Sequence, residues 1–380
     1  MQQNKRALLA PRLFDGRGWR EETAVLIENG RILDVVPSAA VPAGLVQHRL
    51  PEGAFLAPGF IDLQVNGGGG VLLNDDPSPE GMRAIARGHR PFGTTALLPT
   101  LITDTREKTK MAIAAAREAS GQNGVLGLHL EGPFLNPARA GVHRKVVIAR
   151  AEMADLEWLA GLADLPHAVV TLAPECVPPG FIRGLTAKGI RVCAGHSEAS
   201  AEAMLRAIDE GLSGVTHLYN AMPPLSGRAP GIIGAALADP RLIAAIIVDG
   251  LHVDPVSVRA AFAAKSADGI ALVTDAMPSV GAHANEFDLL GTTIFLRDGK
   301  LVTEAGTLAG AHLDMASAVR NAVQLARIPL EDALIAASRT PARFLGIEDH
   351  GIIAPGARAD FVALTDDFTP AAVWLDGMPL

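Results

Sequence analysis

Eight short apolar runs alternate with stretches of helical period along most of this 380-residue chain. The runs are Phe60 to Val65, Thr95 to Leu98, Val125 to Leu130, Val169 to Leu172, Ile190 to Ala194, Gly214 to Thr216, Ile243 to Val248 and Ile270 to Thr274. Between them, stretches such as Arg106 to Ser120 and Ser200 to Gly211 place apolar residues three and four apart, as crossover helices do. The runs are continuously hydrophobic rather than alternating, as strands of a parallel sheet covered on both faces must be. Eight βα units in order predict an α/β fold closed into a (β/α)8 TIM barrel. A doubly wound open sheet is the competing arrangement, and no internal repeat points to a solenoid.

The chain exceeds the usual single-domain size, so a barrel with a smaller companion is expected. Through about Leu56, short β-branched runs alternate with turns, and Asn29-Gly30 is a hairpin signal between Ala24 to Glu28 and Arg31 to Val36. The same style returns only at the end, in Asp360 to Leu364 and Ala372 to Gly377. The organisation read from this is a small β-sandwich domain formed by both termini, residues 1–57 and 349–380, around a barrel of residues 58–348.

Net charge of −8 argues against a nucleic-acid surface and leaves only a local pocket for an anionic ligand. The most apolar segment, Arg241 to Asp249, is bounded by charges and far too short to span a membrane. Lys5 and Arg6 precede an apolar stretch too short for a signal peptide, so a cytoplasmic protein is expected. Cys176 and Cys193 lack metal-type spacing and read as core packing.

In a barrel, chemistry collects at the C-terminal ends of the strands, where the loops converge. The third run ends Leu128-His129-Leu130-Glu131-Gly132-Pro133, the fifth Cys193-Ala194-Gly195-His196-Ser197 and the sixth Val215-Thr216-His217-Leu218-Tyr219-Asn220. The seventh ends Val248-Asp249-Gly250-Leu251-His252 and the eighth Val273-Thr274-Asp275-Ala276. One carboxylate and two imidazoles, Glu131, His196 and His217, make a ligand set that Zn²⁺ accepts while leaving a position for water. His129 shares a face with Glu131. It is either a second ligand or a buried hydrogen-bonder beneath the ligands, and the latter is preferred. Glu175, after the fourth run, is read as helping to start the next helix. At the first strand's tip, Gln64 and Asn66 share a face where two histidines would complete a second metal position. Amides are a poor match for such an ion, so this position should stay empty, giving one metal ion per subunit.

These residues resemble the amidohydrolase superfamily, and within it the N-acetylglucosamine-6-phosphate deacetylases. The likeness runs through Pro58-Gly59-Phe60-Ile61-Asp62, Leu128 to Pro133, Leu172 to Glu175, Ala194 to Ser197, Thr216-His217-Leu218-Tyr219-Asn220-Ala221-Met222, Asp249-Gly250-Leu251-His252-Val253-Asp254 and Leu272 to Ala276. It extends to Thr340-Pro341-Ala342, Pro355-Gly356 and Ala359-Asp360, and departs from the family pattern in Ser279 to Glu286. The resemblance implies metal-dependent deacetylation of N-acetyl-D-glucosamine 6-phosphate to D-glucosamine 6-phosphate and acetate by a homodimer. It assigns the metal to Glu131, His196 and His217, and the catalytic carboxylate to Asp275. It gives carbonyl stabilisation to His143 and substrate contacts to Val142, Asn220, Ala221, Arg228, His252, Leu308, Ala309 and Gly310, some across a dimer interface. The first-strand pair Gln64 and Asn66 places the chain with members that bind one metal.

Apart from likeness, Arg228 on a Gly/Pro loop is a sound anion ligand. The expected cofactor is one divalent cation, Zn²⁺ or a similar ion such as Fe²⁺, and the expected partner is a small amino-sugar phosphate, without nucleic acid or membrane. The galactosamine isomer and a cyclic amide are the alternative substrates. A catalytically silent binding barrel is the alternative from another class.

Overall fold

The computed structural model describes residues 5–306 and 308–380. Its centre is an eight-stranded parallel sheet whose strands neighbour one another in strict chain order. The barrel strands are Phe60–Val65, Thr94–Ile102, Gly127–Glu131, His167–Leu172, Arg191–Ala194, Gly214–Val215, Ile243–Ile247 and Ile270–Val273. All eight coincide with the apolar runs, because only strands covered on both faces can be buried end to end. Every residue of Thr94–Ile102 is buried. Helices pack outside: Arg106–Ala119 begins at Thr105, whose side chain accepts from the Lys108 N–H, and turns Ala112, Ile113 and Ala116 inward. Ala201–Asp209 begins likewise at Ser200, which accepts from the Ala203 N–H. Such caps each contribute about 1 kcal/mol.

The two ends of the chain share a second eight-stranded sheet. Strands from Lys5–Phe14 to Phe55–Pro58 join Phe361–Leu364, Pro370–Leu375 and Met378–Pro379. Asn29 and Gly30 sit at φ 51° and 77° between paired strands Trp19–Glu28 and Arg31–Pro37. Two consecutive left-handed residues make the turn whose twist matches a hairpin, which glycine adopts without a Cβ penalty.

The expectation that hairpins return only at the C-terminal end is corrected by the structure. Glu286–Leu289, Thr292–Arg297 and Lys300–Thr303 form a three-stranded antiparallel sheet inserted after the eighth barrel strand. Its tip is an Asp298-Gly299 turn with φ 51° and 76°, the same signal as Asn29-Gly30. Leu289, Ile294 and Leu301 pack on Leu72, Ile102 and Met277, so the insertion roofs the mouth of the barrel. The third unit is also irregular. Between Glu131 and His167 the chain forms short turns of helix rather than one crossover helix, and His143 sits in that loop. Both cysteines are free and buried, and among the described residues no helix is long and apolar enough to cross a membrane.

The barrel closes where the first strand meets the eighth, without a continuous ladder. Asp275 N–H donates to the Gln64 carbonyl at 3.0 Å, and Asn66 N–H to the Ala276 carbonyl at 2.9 Å. Next to these bonds lies Asp62, fully buried, whose carboxylate accepts the Gln64 N–H, the Thr274 N–H and the Thr274 hydroxyl. Burial outweighs the three donors and pushes its carboxyl up to about 7. A carboxyl raised in the folded state adds stability that is complete below its ordinary value of 3.8 and is lost as pH rises through about 7. Chemical denaturation of Asp62→Asn across pH 4 to 8 is expected to show a flatter decline than the parent, by on the order of a few kcal/mol.

Candidate active site

The loops at the C-terminal ends of the strands enclose a cavity of about 210 Å³. Glu131 closes the third strand with its side chain pointing inward. His196, His217 and Asp275 follow the ends of their strands in the left-handed region, at φ 48°, 31° and 51°. Such a corner costs a non-glycine residue about 1–3 kcal/mol. It ends the strand abruptly and turns that residue's own side chain across the mouth.

These corners bring three groups together. His196 Nε2 lies 3.1 Å and His217 Nε2 2.9 Å from Glu131 Oε1, and the two imidazole nitrogens are 3.0 Å apart. His196 Nδ1 faces the Arg139 carbonyl at 2.7 Å, so that nitrogen donates and Nε2 presents its lone pair to the cluster. A tetrahedral cation with bonds near 2.0–2.1 Å would separate its ligands by roughly 3.3 Å, so the set fits one ion. Burial opposes charge on Glu131, yet the His196 and His217 imidazoles against its Oε1 outweigh it and hold the carboxyl well below its usual range.

Glu131, His143 and His196 also bring donor atoms within 4.8 Å of one another. His143 is the weaker third member, since its Nε2 stands 3.8 Å from Glu131 Oε2. Its Nδ1 meets both the Thr103 N–H, at 3.3 Å, and the Thr103 hydroxyl, at 2.8 Å. The Thr103 N–H can only donate, so the tautomer it favours carries the ring proton on Nε2, facing the cavity, while the Thr103 hydroxyl donates to the Glu131 carbonyl at 2.9 Å. Burial, with His196 alongside, pushes His143 down to about 3, so it is a neutral donor. His129 lies beneath the cluster with both nitrogens engaged, one on the Leu63 carbonyl at 2.9 Å and one on the Thr171 hydroxyl at 2.8 Å.

Asp275 stands across the cavity. Its Oδ1 accepts from Asn66 Nδ2 at 2.7 Å and from Gln64 Nε2 at 3.1 Å, and the same Gln64 nitrogen donates to Glu131 Oε1 at 3.1 Å. The first-strand amides thus turn their N–H sides toward two carboxylates. Deep placement, reinforced by the charge of Glu131, raises the Asp275 carboxyl to about 6, while one side of the residue stays open to the cavity. The glycines after Asn66 fix this wall. Gly67 and Gly69 donate to the Ala276 and Val280 carbonyls, and a Cβ on Gly67 would lie 2.8 Å from the Pro278 nitrogen.

Val142, Asn220, Ala221, His252, Leu308 and Gly310 line the same cavity. Ala309 does not: it is fully buried under the inserted sheet, its N–H on the Leu301 carbonyl at 3.0 Å. Arg228 lies outside the cavity of its own chain, on the exposed loop Pro224 to Pro230. Glu175 does not start the next helix. Its carboxylate accepts from Asn136 Nδ2, the Ser197 hydroxyl and the Glu198 N–H, and so ties the loops on either side of His196.

The matching family model covers residues 55–380 and describes the amidohydrolase family. The chain belongs to the amidohydrolase family. This amidohydrolase is 42% identical to an N-acetylgalactosamine-6-phosphate deacetylase of Shewanella sp. (strain ANA-3), with 94% of this chain and 91% of that protein covered. It is 35% identical to an N-acetylglucosamine-6-phosphate deacetylase of Haemophilus influenzae, with 93% of each covered. The crystal structure of N-acetylglucosamine-6-phosphate deacetylase from Pasteurella multocida superposes with a TM-score of 0.95 at 36% identity, covering 99% of both chains.

Two partners were missed in the sequence. Thr103 orients His143, and Asp249 orients His252 by accepting from its backbone N–H at 2.8 Å and pairing with its Nδ1 at 2.6 Å. The Asp-Gly-x-His spacing was the available signal, an Asx turn that brings residue and imidazole together. Burial lowers His252, but Asp249 outweighs it and the imidazole is raised; Asp249 is lowered for the reciprocal reason. The pair therefore stabilises fully between about pH 4 and 6.5, the ordinary values of the two groups, and weakens as pH rises through the raised His252 value. In denaturation at pH 6 and 8.5, His252→Gln is expected to lose part of the parent's decline between the two.

Proposed function

We propose that this amidohydrolase removes the acetyl group of N-acetyl-D-glucosamine 6-phosphate, giving D-glucosamine 6-phosphate and acetate, with one divalent cation per subunit, most simply Zn²⁺. The observation that carries the reading is the convergence of Glu131, His196 and His217 opposite Asp275, in a chain whose relatives are amino-sugar-phosphate deacetylases. A cation held by the three ligands supplies Lewis-acid polarisation of a carbonyl and makes a water easier to deprotonate. The protein's own groups do the rest. Asp275, raised to about 6, takes the proton of the attacking water and returns it to the leaving nitrogen as the amide C–N bond breaks. Asn66 and Gln64 hold Oδ1, which aims the carboxylate. His143 donates from Nε2 to the carbonyl oxygen as charge grows there.

His252, shifted toward its cationic form by Asp249, suits the phosphate, and Asn220 and Ala221 line the same cavity. Arg228 joins them from the exposed loop of a second subunit in a homodimer, which accounts for its distance from the cavity of its own chain. A phosphorylated sugar does not cross membranes unaided, and the enzyme is placed in the cytoplasm with it.

The galactosamine isomer is the second reading, favoured by the relative that is 42% identical. Acetate release from both 6-phosphates, measured side by side, decides between them: a kcat/KM at least tenfold higher on the glucosamine compound supports the first reading, the reverse ratio the second, and activity on neither sinks both. Metal analysis of protein purified without chelator is expected to find one ion per chain, and chelation should abolish activity and lower Tm, with recovery on adding zinc. Two ions per chain would overturn the role given to Gln64 and Asn66. Asp275→Asn should retain metal and lower kcat by roughly 10²–10⁴-fold. Full activity in that variant would remove Asp275 from the mechanism.

A further inference from the structure

Asp62 does not line the cavity and touches no cation ligand, yet its hydrogen bonds frame the residue that does the proton transfer. Its Oδ1 accepts the Gln64 N–H at 3.1 Å and the Thr274 N–H at 3.3 Å, and its Oδ2 accepts the Thr274 hydroxyl at 2.5 Å. With its proton directed at Asp62, the Thr274 hydroxyl oxygen accepts the Ala276 N–H at 3.2 Å. The residues on both sides of Asp275 are thereby tied, directly and through one hydroxyl, to a single buried carboxylate. Asp275 bends through φ 51° between them.

We propose that Asp62, acting through Thr274, is a positioning residue for Asp275: it holds the Thr274–Ala276 corner in the left-handed bend that turns the Asp275 carboxylate toward the cavity. The proposal rests on Asp275 as the acid–base group. Charge-free contact or simple packing would not require this arrangement. A valine would fill the space of Thr274 and an alanine that of Asp62 only in part, but neither could pass a hydrogen bond from Ala276 to the first strand.

The test uses the full-length, metal-loaded enzyme and compares Thr274→Val with Thr274→Ser. The valine variant is expected to lose kcat by about 10–100-fold, with KM within about threefold of the parent and metal content unchanged, and the serine variant to return to within about threefold. Asp62→Ala should lose kcat as the valine variant does. Asp62→Asn, which keeps an acceptor for both backbone N–H groups and a partner for the Thr274 oxygen, should recover most of it. If Asp62→Ala yields no folded protein, the Thr274 pair decides. A fall in Tm with kcat unmoved would reduce Asp62 to a structural role and overturn the proposal. A crystal structure of Thr274→Val decides independently of substrate. Asp275 should leave its left-handed bend and its contact with Asn66 Nδ2, whereas an unchanged corner overturns the proposal. Failure of the parent enzyme on both sugar phosphates would instead count against the function proposed above, with the crystallographic comparison still decisive here.

Discussion

Two carboxylates that would repel each other, Glu131 and Asp275, are held in one barrel mouth by a single amide, and the rest of the site is arranged around that constraint. Gln64 Nε2 lies 3.1 Å from an oxygen of each. In the low dielectric of a protein interior, like charges at this range separate their titrations, one group staying ionised and the other moving toward neutrality. That is the division seen here: Glu131 is held well below its usual range by two imidazoles, and Asp275 is raised to about 6. This division suits the roles proposed for them, a ligand for the first and a proton carrier for the second. Their difference arises from neighbours, since the two groups are chemically almost the same.

Placing these neighbours depends on strand ends. His196, His217 and Asp275 all occupy left-handed corners, a conformation that local preference disfavours, and each is over-determined by its surroundings. Glu175 ties the loops beside His196, and the Asp62–Thr274 relay frames Asp275. The cost of three strained corners is offset by burial on a scale no single corner can disturb, because each strand behind them is packed on both faces.

The barrel was legible because its strands are unbroken apolar runs, and the convergence of Glu131, His196 and His217 was legible because a lone Glu or His at the end of such a run has no packing reason to be there. Asp62, Thr103 and Glu175 were not legible in the same way. Their roles depend on partners far away in sequence, as with Asp62 and Thr274, which are 212 residues apart. The inserted sheet was a different kind of miss. Asp298-Gly299 carries the same turn chemistry as Asn29-Gly30, but it follows the eighth strand, where a count of βα units no longer expects strands. Arg228 was assigned by the family resemblance and by its loop chemistry, and the structure leaves it outside the cavity of its own chain.

The first-strand amides illustrate how residue type rather than position would govern the number of cations in the proposed centre. An imidazole at Gln64 or Asn66 would present a lone pair to the mouth, and two lone pairs beside two carboxylates make a second cation site. An amide offers an acceptor and a donor, and only its donor side can face carboxylate oxygens without repulsion. Here both amides turn that side inward, and their carbonyl oxygens, Gln64 Oε1 and Asn66 Oδ1, are left buried without a partner among the described residues. The inward N–H groups damp the repulsion between Glu131 and Asp275.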